Sequence, residues 1–148
     1  MKKIVLKGRK IVGGQAEGEA LVSSQSISFG GGIDPYTGNV TERGHPLMNE
    51  NIKGKILVFP MGKGSSWFSP MAHVSRLAGT NPKAIIVREI NPQVALATVV
   101  MHIPGIAYLD KDPTEVISTG DWVRIDADKG LVEIKSRSVS RLSPRKLH

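Results

Sequence analysis

Apolar and polar positions along the chain fall into short blocks of two kinds, alternating runs and uninterrupted ones. Residues 4–6 and 11–12 are apolar with Gly8 between them, a first strand or hairpin bending near that glycine. Residues 17–23 alternate enough for a second strand, and residues 26–29 (Ser-Ile-Ser-Phe) suggest a third, ended by Gly30-Gly31-Gly32. Residues 56–59, Ile-Leu-Val-Phe, are apolar without a break, the mark of a strand covered on both faces. Residues 84–87, Ala-Ile-Ile-Val, read as a further strand. Between these two, Ser69-Pro70 reads as an N-cap with proline at the first helical position, predicting a helix over 70–78 that Gly79 ends. Asn91-Pro92 starts a second helix over 93–102, with Val94, Ala97, Val100 and Met101 on or near one face, and Pro104 stops it. Residues 106–109 form a short strand and 112–117 one or two helical turns. Residues 122–127 alternate as a half-buried strand, and Asp128-Lys129-Gly130 turns into its partner at 131–134.

Strands first, two strand–helix units in the middle and a closing hairpin describe a mixed α/β single domain over 1–135, not a doubly wound one. Residues 136–148 are Ser, Arg and Lys with little that is apolar, and read as a basic tail. Residues 30–55 are rich in Gly, Pro, Asn and charge without a sustained period. A loop of that length inside a compact domain is usually functional or disordered.

Composition narrows the function. A chain of 148 residues with 40% hydrophobic content is one domain with a real core. No apolar run approaches the roughly 20 residues that span a bilayer. The first seven residues turn charged again too soon for a secretory signal, so a cytoplasmic location is expected. The absence of cysteine excludes disulfides and thiolate metal ligands within this chain. The net charge of +7 sits at the two ends: Lys2, Lys3, Lys7, Arg9 and Lys10 at one, Lys135, Arg137, Arg141, Arg145 and Lys146 at the other. The middle is slightly acidic, and aromatics are 5% of residues, too few for nucleic-acid stacking platforms. A partner surface fits that distribution better than a nucleic-acid strand.

The candidate chemistry lies in Gly62-Lys63-Gly64-Ser65-Ser66, between the buried strand at 56–59 and the helix after it. Strand, glycine-rich turn and helix N-terminus aim backbone N–H groups and a helix dipole at whatever lies above the turn. Two hydroxyls and an ammonium there suit an anionic ligand. A phosphate-binding Walker loop is excluded because the lysine precedes the second glycine. A dinucleotide fingerprint lacks its third glycine, and no Gly-x-Ser-x-Gly elbow is present. His45, His73, His102 and His148 match no zinc spacing.

Gly62-Lys63-Gly64-Ser65-Ser66 resembles the Gly-x-Gly-Ser-Ser turn in the swivelling domain of the aconitase superfamily. With Gly31-Gly32-Ile33-Asp34-Pro35-Tyr36-Thr37-Gly38 and Arg43-Gly44-His45-Pro46-Leu47, and with the strand before the turn, the chain is similar to the small subunit of the aconitase X family, over about residues 6–132. The resemblance implies a swivelling β/β/α domain. It implies one chain of a two-chain hydro-lyase that dehydrates (R)-5-phosphomevalonate to trans-anhydromevalonate 5-phosphate in the archaeal-type mevalonate pathway of isoprenoid synthesis. A separate large catalytic subunit would carry a [4Fe–4S] cluster on its own cysteines, with no metal held here. Ser65 would be the proton acceptor, with backbone N–H groups of 64–67, the following helix N-terminus and Lys63 stabilising its alkoxide. Ser66, Lys63, Gly64, Arg43 and His45 would contact a small phosphorylated hydroxy acid, Arg43 and His45 at the mouth. Trp67 departs from aconitase itself, which has arginine after the paired serines. Other readings are another aconitase X hydro-lyase, such as a hydroxyproline dehydratase, and a non-catalytic module docking through its basic ends.

Overall fold

The computed structural model describes residues 3–64 and 66–135, so the tail expected at 136–148 lies outside the described residues. In chain order the elements are β1 (Lys3–Lys7), β2 (Arg9–Val12), β3 (Gln15–Val22), β4 (Ile56–Phe59), α1 (Phe68–Ala78), β5 (Ala84–Val87), α2 (Pro92–Met101), β6 (Gly105–Ala107), α3 (Pro113–Val116), β7 (Trp122–Asp126) and β8 (Leu131–Lys135).

The strands lie in the order β1-β8-β7-β3-β4-β5-β6-β2. β1 and β2 do not form a hairpin. β1 pairs antiparallel with β8, and β2 pairs antiparallel with β6 at the far end. Only Gly8 separates them, so the two outer strands are halves of one bent strand and the sheet folds back on itself. A side chain at Gly8 would meet the Ala107 carbonyl at 2.5 Å and Leu109 at 2.7 Å, which is why the bend is glycine. β3 is shared in the same way. Gln15–Glu19 pairs antiparallel with β7, and Ala20–Val22 pairs parallel with β4. One layer is therefore antiparallel and the other mostly parallel.

The parallel layer is buried on both faces, as the unbroken apolar runs predicted. Ile56, Val58, Ala84, Ile86 and Ile106 face the antiparallel layer with Leu6, Val123, Ile125, Val132 and Ile134. Leu57, Phe59, Ile85 and Val87 face the other way, onto Phe68 and Ala72 of α1 and Val94, Ala97 and Met101 of α2. The result is a mixed α/β single domain in three layers, β/β/α.

Three sequence expectations change. The strand expected at 26–29 is a single bridge between Ile27 and Gly62. Its backbone is taken up in turning: the Ser28 hydroxyl accepts from Gly30 N–H and the Ser28 carbonyl from Gly32 N–H. Ile27 and Phe29 are apolar because they are core. The first helix starts at Phe68, with Trp67 as an N-cap that makes no side-chain capping bond. Met71 N–H closes the first turn on the Trp67 carbonyl at 3.0 Å. Pro70 is tolerated in that turn because first-turn N–H groups have no intrahelical acceptor to lose. Residues 30–55 are ordered, with bridges Ile33–Val40 and Asn39–Asn51, and they bury Ile33, Val40, Leu47 and Ile52. No helix among the described residues is long and apolar enough to cross a membrane.

Asp112 caps α3, accepting from Thr114 N–H at 2.9 Å and the Thr114 hydroxyl at 2.7 Å, and it pairs with Arg88 at 3.2 Å. Burial opposes its charge, but the Thr114 bonds and the Arg88 guanidinium outweigh burial and hold the carboxyl below its usual value. A lowered native pKa means stability that is complete above the unfolded-state value and lost as pH falls through the native one. Asp112→Ala is expected to cost about 1 kcal/mol near neutrality. Melting curves should show this gap to wild type closing below about pH 4. A gap of the same size at pH 3 would show that the charge is not responsible.

Candidate functional site

β4 and β5 are parallel neighbours, in register from Ile56↔Ala84 to Phe59↔Val87. Each runs through a short turn into a helix, so the N-termini of α1 and α2 open at the same end of the sheet, where α/β folds gather ligands. The two turns are tied together. The Pro60 carbonyl accepts from Arg88 and Glu89 N–H, both at 3.0 Å. Asn91 donates from its amide to the Gly62 carbonyl at 2.6 Å and accepts from Val94 N–H at 3.1 Å. One side chain thus caps α2 and holds the serine turn. On the other flank Lys63 N–H donates to the Ile27 carbonyl at 2.9 Å.

Crowding explains the two glycines of the turn. Neither adopts positive φ. A Cβ at Gly62 would lie 2.5 Å from Val94 Cγ2 and 3.1 Å from both Asn91 Oδ1 and a Phe68 ring carbon. A Cβ at Gly64 would lie 2.8–2.9 Å from the Gln93 amide end. The turn is pressed onto the first residues of α2: at Gly62 only glycine fits, and at Gly64 a side chain would have to displace the end of Gln93.

The turn forms a ridge between two open depressions. Ser28, Gly30, Gly31, Gly32, Glu42, Lys63 and Gly64 line one. Ser66, Phe68, Ser69, Pro92, Gln93 and Leu96 line the other. The long loop therefore reaches the site, through its glycines and Glu42. The Lys63 ammonium is paired with the Glu42 carboxylate, so part of its charge is already met within the chain. Arg43, next in sequence, is exposed and forms no ion pair among the described residues. Ser66 and Trp67 are exposed, Trp67 at 63%. Ser65 lies outside the described residues.

His45 is placed differently from the expected site mouth. It is buried, with Nε2 3.0 Å from the Ser26 carbonyl and Nδ1 accepting from Leu47 N–H at 3.0 Å. That pattern sets the tautomer, with the proton on Nε2, and leaves neither nitrogen for a ligand. His45 fastens the loop to the segment before the turn.

An anion above this ridge would meet two helix N-termini, the Ser66 hydroxyl, and a lysine whose partner can be exchanged. Residue-by-residue reading missed Glu42, Asn91 and Gln93. The signal for the last two was available: consecutive strand–turn–helix units on neighbouring parallel strands must open their helices side by side. Glu42 carried no signal, because nothing local marks which acid of a 26-residue loop (30–55) turns inward.

The model of the aconitase X swivel domain matches residues 5–134. The phosphomevalonate dehydratase small subunit of Methanocella arvoryzae is 43% identical over 129 residues, covering 87% of this chain and 98% of that one. Its namesake in Thermococcus kodakarensis is 47% identical over 129 residues, covering 87% and 95%. The crystal structure of Thermococcus kodakaraensis aconitase X in its holo-form superposes with a TM-score of 0.85 at 46% identity, covering 90% of this chain and 99% of that chain. The solution structure of a UPF0107 protein gives 0.82 at 41% identity, covering 90% and 100%.

Proposed function

This chain belongs to the aconitase X swivel-domain family, and from that premise we propose that it is the small subunit of a phosphomevalonate dehydratase, a hydro-lyase assembled with a separate large subunit. The observation that carries the reading is the join of two facts. Relatives bearing that name match nearly end to end, at 43–47% identity in the pair compared above. In the fold they share, the Gly62–Ser66 turn lies at the mouth of two helix N-termini beside an exchangeable lysine.

The chain's own part in the reaction would be to bind the anionic substrate and move one proton. Loss of water from 5-phosphomevalonate breaks a C–H bond beside the carboxylate and the C–O bond of the neighbouring hydroxyl. The electron pair of the first becomes the new C=C bond, and hydroxide departs with the second. Ser65 is assigned the proton, as an alkoxide stabilised by the backbone N–H groups of the turn and the N-terminus of α1. Lys63 and Arg43 are assigned to the phosphate or carboxylate, Lys63 exchanging Glu42 for the substrate. Ser66 and the Gly64 amide line the approach. His45 supports the loop and takes no part in binding.

A [4Fe–4S] cluster does not fit this chain. It has no cysteine, and among the described residues no three His, Asp or Glu side chains are grouped to hold a metal. We assign the cluster to the partner's cysteines, and no step here runs through it. Co-expression with the cysteine-bearing large subunit, followed by an anaerobic assay on phosphomevalonate, tests the whole reading. The expected result is dehydration by the pair and none by either chain alone. An inactive pair, or a pair that turns over hydroxyproline instead, would overturn it.

A further inference from the structure

We propose that Gln93 is a substrate-contacting residue of this site, its side-chain amide hydrogen-bonding the anionic substrate across the turn from Lys63; the inference rests on the function proposed above. Gln93 is the second residue of α2, directly after the Asn91-Pro92 cap. Its half-buried side chain lies along Gly64, so close that a Cβ there would come within 2.8 Å of Nε2 and 2.9 Å of Cγ and Cδ. The absence of a side chain at Gly64 is what lets this amide reach the ridge. The amide also lines the depression that holds the exposed Ser66 hydroxyl and Ser69.

Three neighbouring polar side chains of the two turns are engaged within the chain. Asn91 is spent on Gly62 and Val94, Lys63 on Glu42, and Arg88 on Asp112. The Gln93 amide, by contrast, makes no hydrogen bond to any described residue. A glutamine lying along Gly64 at a helix N-terminus, with its donors unspent and the Ser66 hydroxyl lining the same depression, is equipped to bind a carboxylate or phosphate oxygen. Its seat along Gly64 leaves its hydrogen-bonding groups available to a ligand.

The test compares Gln93→Ala and Gln93→Glu with wild type in the assembled two-chain enzyme, by steady-state kinetics on phosphomevalonate and by melting temperature. Glutamate keeps the shape that packs on Gly64 but removes the donor and sets a negative charge against an anionic substrate. Gln93→Ala is expected to raise KM about tenfold, the worth of one hydrogen bond to a charged group. Gln93→Glu should lower kcat/KM about 100-fold or more while the melting temperature stays within a few degrees. A residue that only packs would give the reverse: Gln93→Glu close to wild type and any loss confined to Gln93→Ala. Gln93→Glu kinetics within threefold of an active wild type would overturn this inference and leave the proposed function standing. A wild-type pair without dehydratase activity would overturn both.

Discussion

Ser65→Ala in the assembled enzyme is expected to cut kcat by about 10²–10⁴-fold, the worth of a positioned general base, and by more if the preorganised alkoxide is the reacting group. KM, subunit assembly and melting temperature should move little. The turn's shape is held by contacts that do not involve this side chain: the Asn91–Gly62 bond, the Lys63–Ile27 bond and the packing of Gly62 on Val94 and Phe68. A base acts only on the way to the transition state, so its removal lowers kcat and kcat/KM together. Ser66→Ala should be milder, since a binding hydroxyl is worth less than the proton acceptor. If the two serines served only the turn, both variants would lose a little stability and neither would lose turnover. Pre-steady-state and steady-state rates for both variants, with melts alongside, decide between these outcomes. A Ser65→Ala enzyme within tenfold of wild type would remove Ser65 from the chemistry.

Phe68→Ala should produce the largest loss of stability near the site. Phe68 opens α1 with 1% of its surface exposed, its ring 5.4 Å from that of Phe29 and pressed beneath Gly62. It joins the loop, the helix layer and the serine turn. Truncating a buried phenylalanine costs about 3–5 kcal/mol, the lost transfer energy plus the cavity left behind. For a chain of this size that corresponds to a melting-temperature drop on the order of 10 °C. Gly62 would lose the wall it rests on, so activity of the assembled enzyme at moderate temperature should fall before the domain unfolds. Differential scanning calorimetry checks the first part and activity against temperature the second. A drop of under 3 °C would show that the site rearranges to fill the space.

The parts of the fold decided by local pattern were legible in the sequence. Ile56–Phe59 and Ala84–Val87 are strands with the boundaries their apolar runs predict, because burial on both faces leaves no ambiguity of period. Asn91 caps α2 as its type and position predict, accepting from Val94 N–H. The misreadings lie where tertiary contacts override local preference. Ser69-Pro70 carries a strong start signal, yet burial of Phe68 draws the helix back by two residues. Residues 26–29 have a strand's composition, but the turn through Ser28 and Gly32 uses the backbone groups that a ladder needs. At the site, the Gly-Lys-Gly-Ser-Ser turn was recognisable from its residues. The reason for its glycines was not, since it lies in side chains some thirty positions away, Asn91, Gln93 and Val94. Local reading put an ammonium at Lys63 to suit an anionic ligand, and only the folded loop shows the carboxylate that answers it.

The strand bent at Gly8 has a consequence for how the protein is made. Its first half pairs with the last described strand, from Lys3↔Lys135 to Lys7↔Leu131, and its second half with β6, whose residues lie about a hundred positions later. This segment is therefore made well before either of its neighbours. Contacts of such sequence separation are slow to form, because a long loop must close before any ladder bond rewards it. Until β6 emerges residues 9–12 have no partner, and until β8 emerges residues 3–7 have none, so the nascent chain carries unpaired strand over a long stretch of synthesis. What guards it is its own chemistry: Lys3, Lys7, Arg9 and Lys10 stud the segment with like charge, a pattern that discourages one edge from joining another.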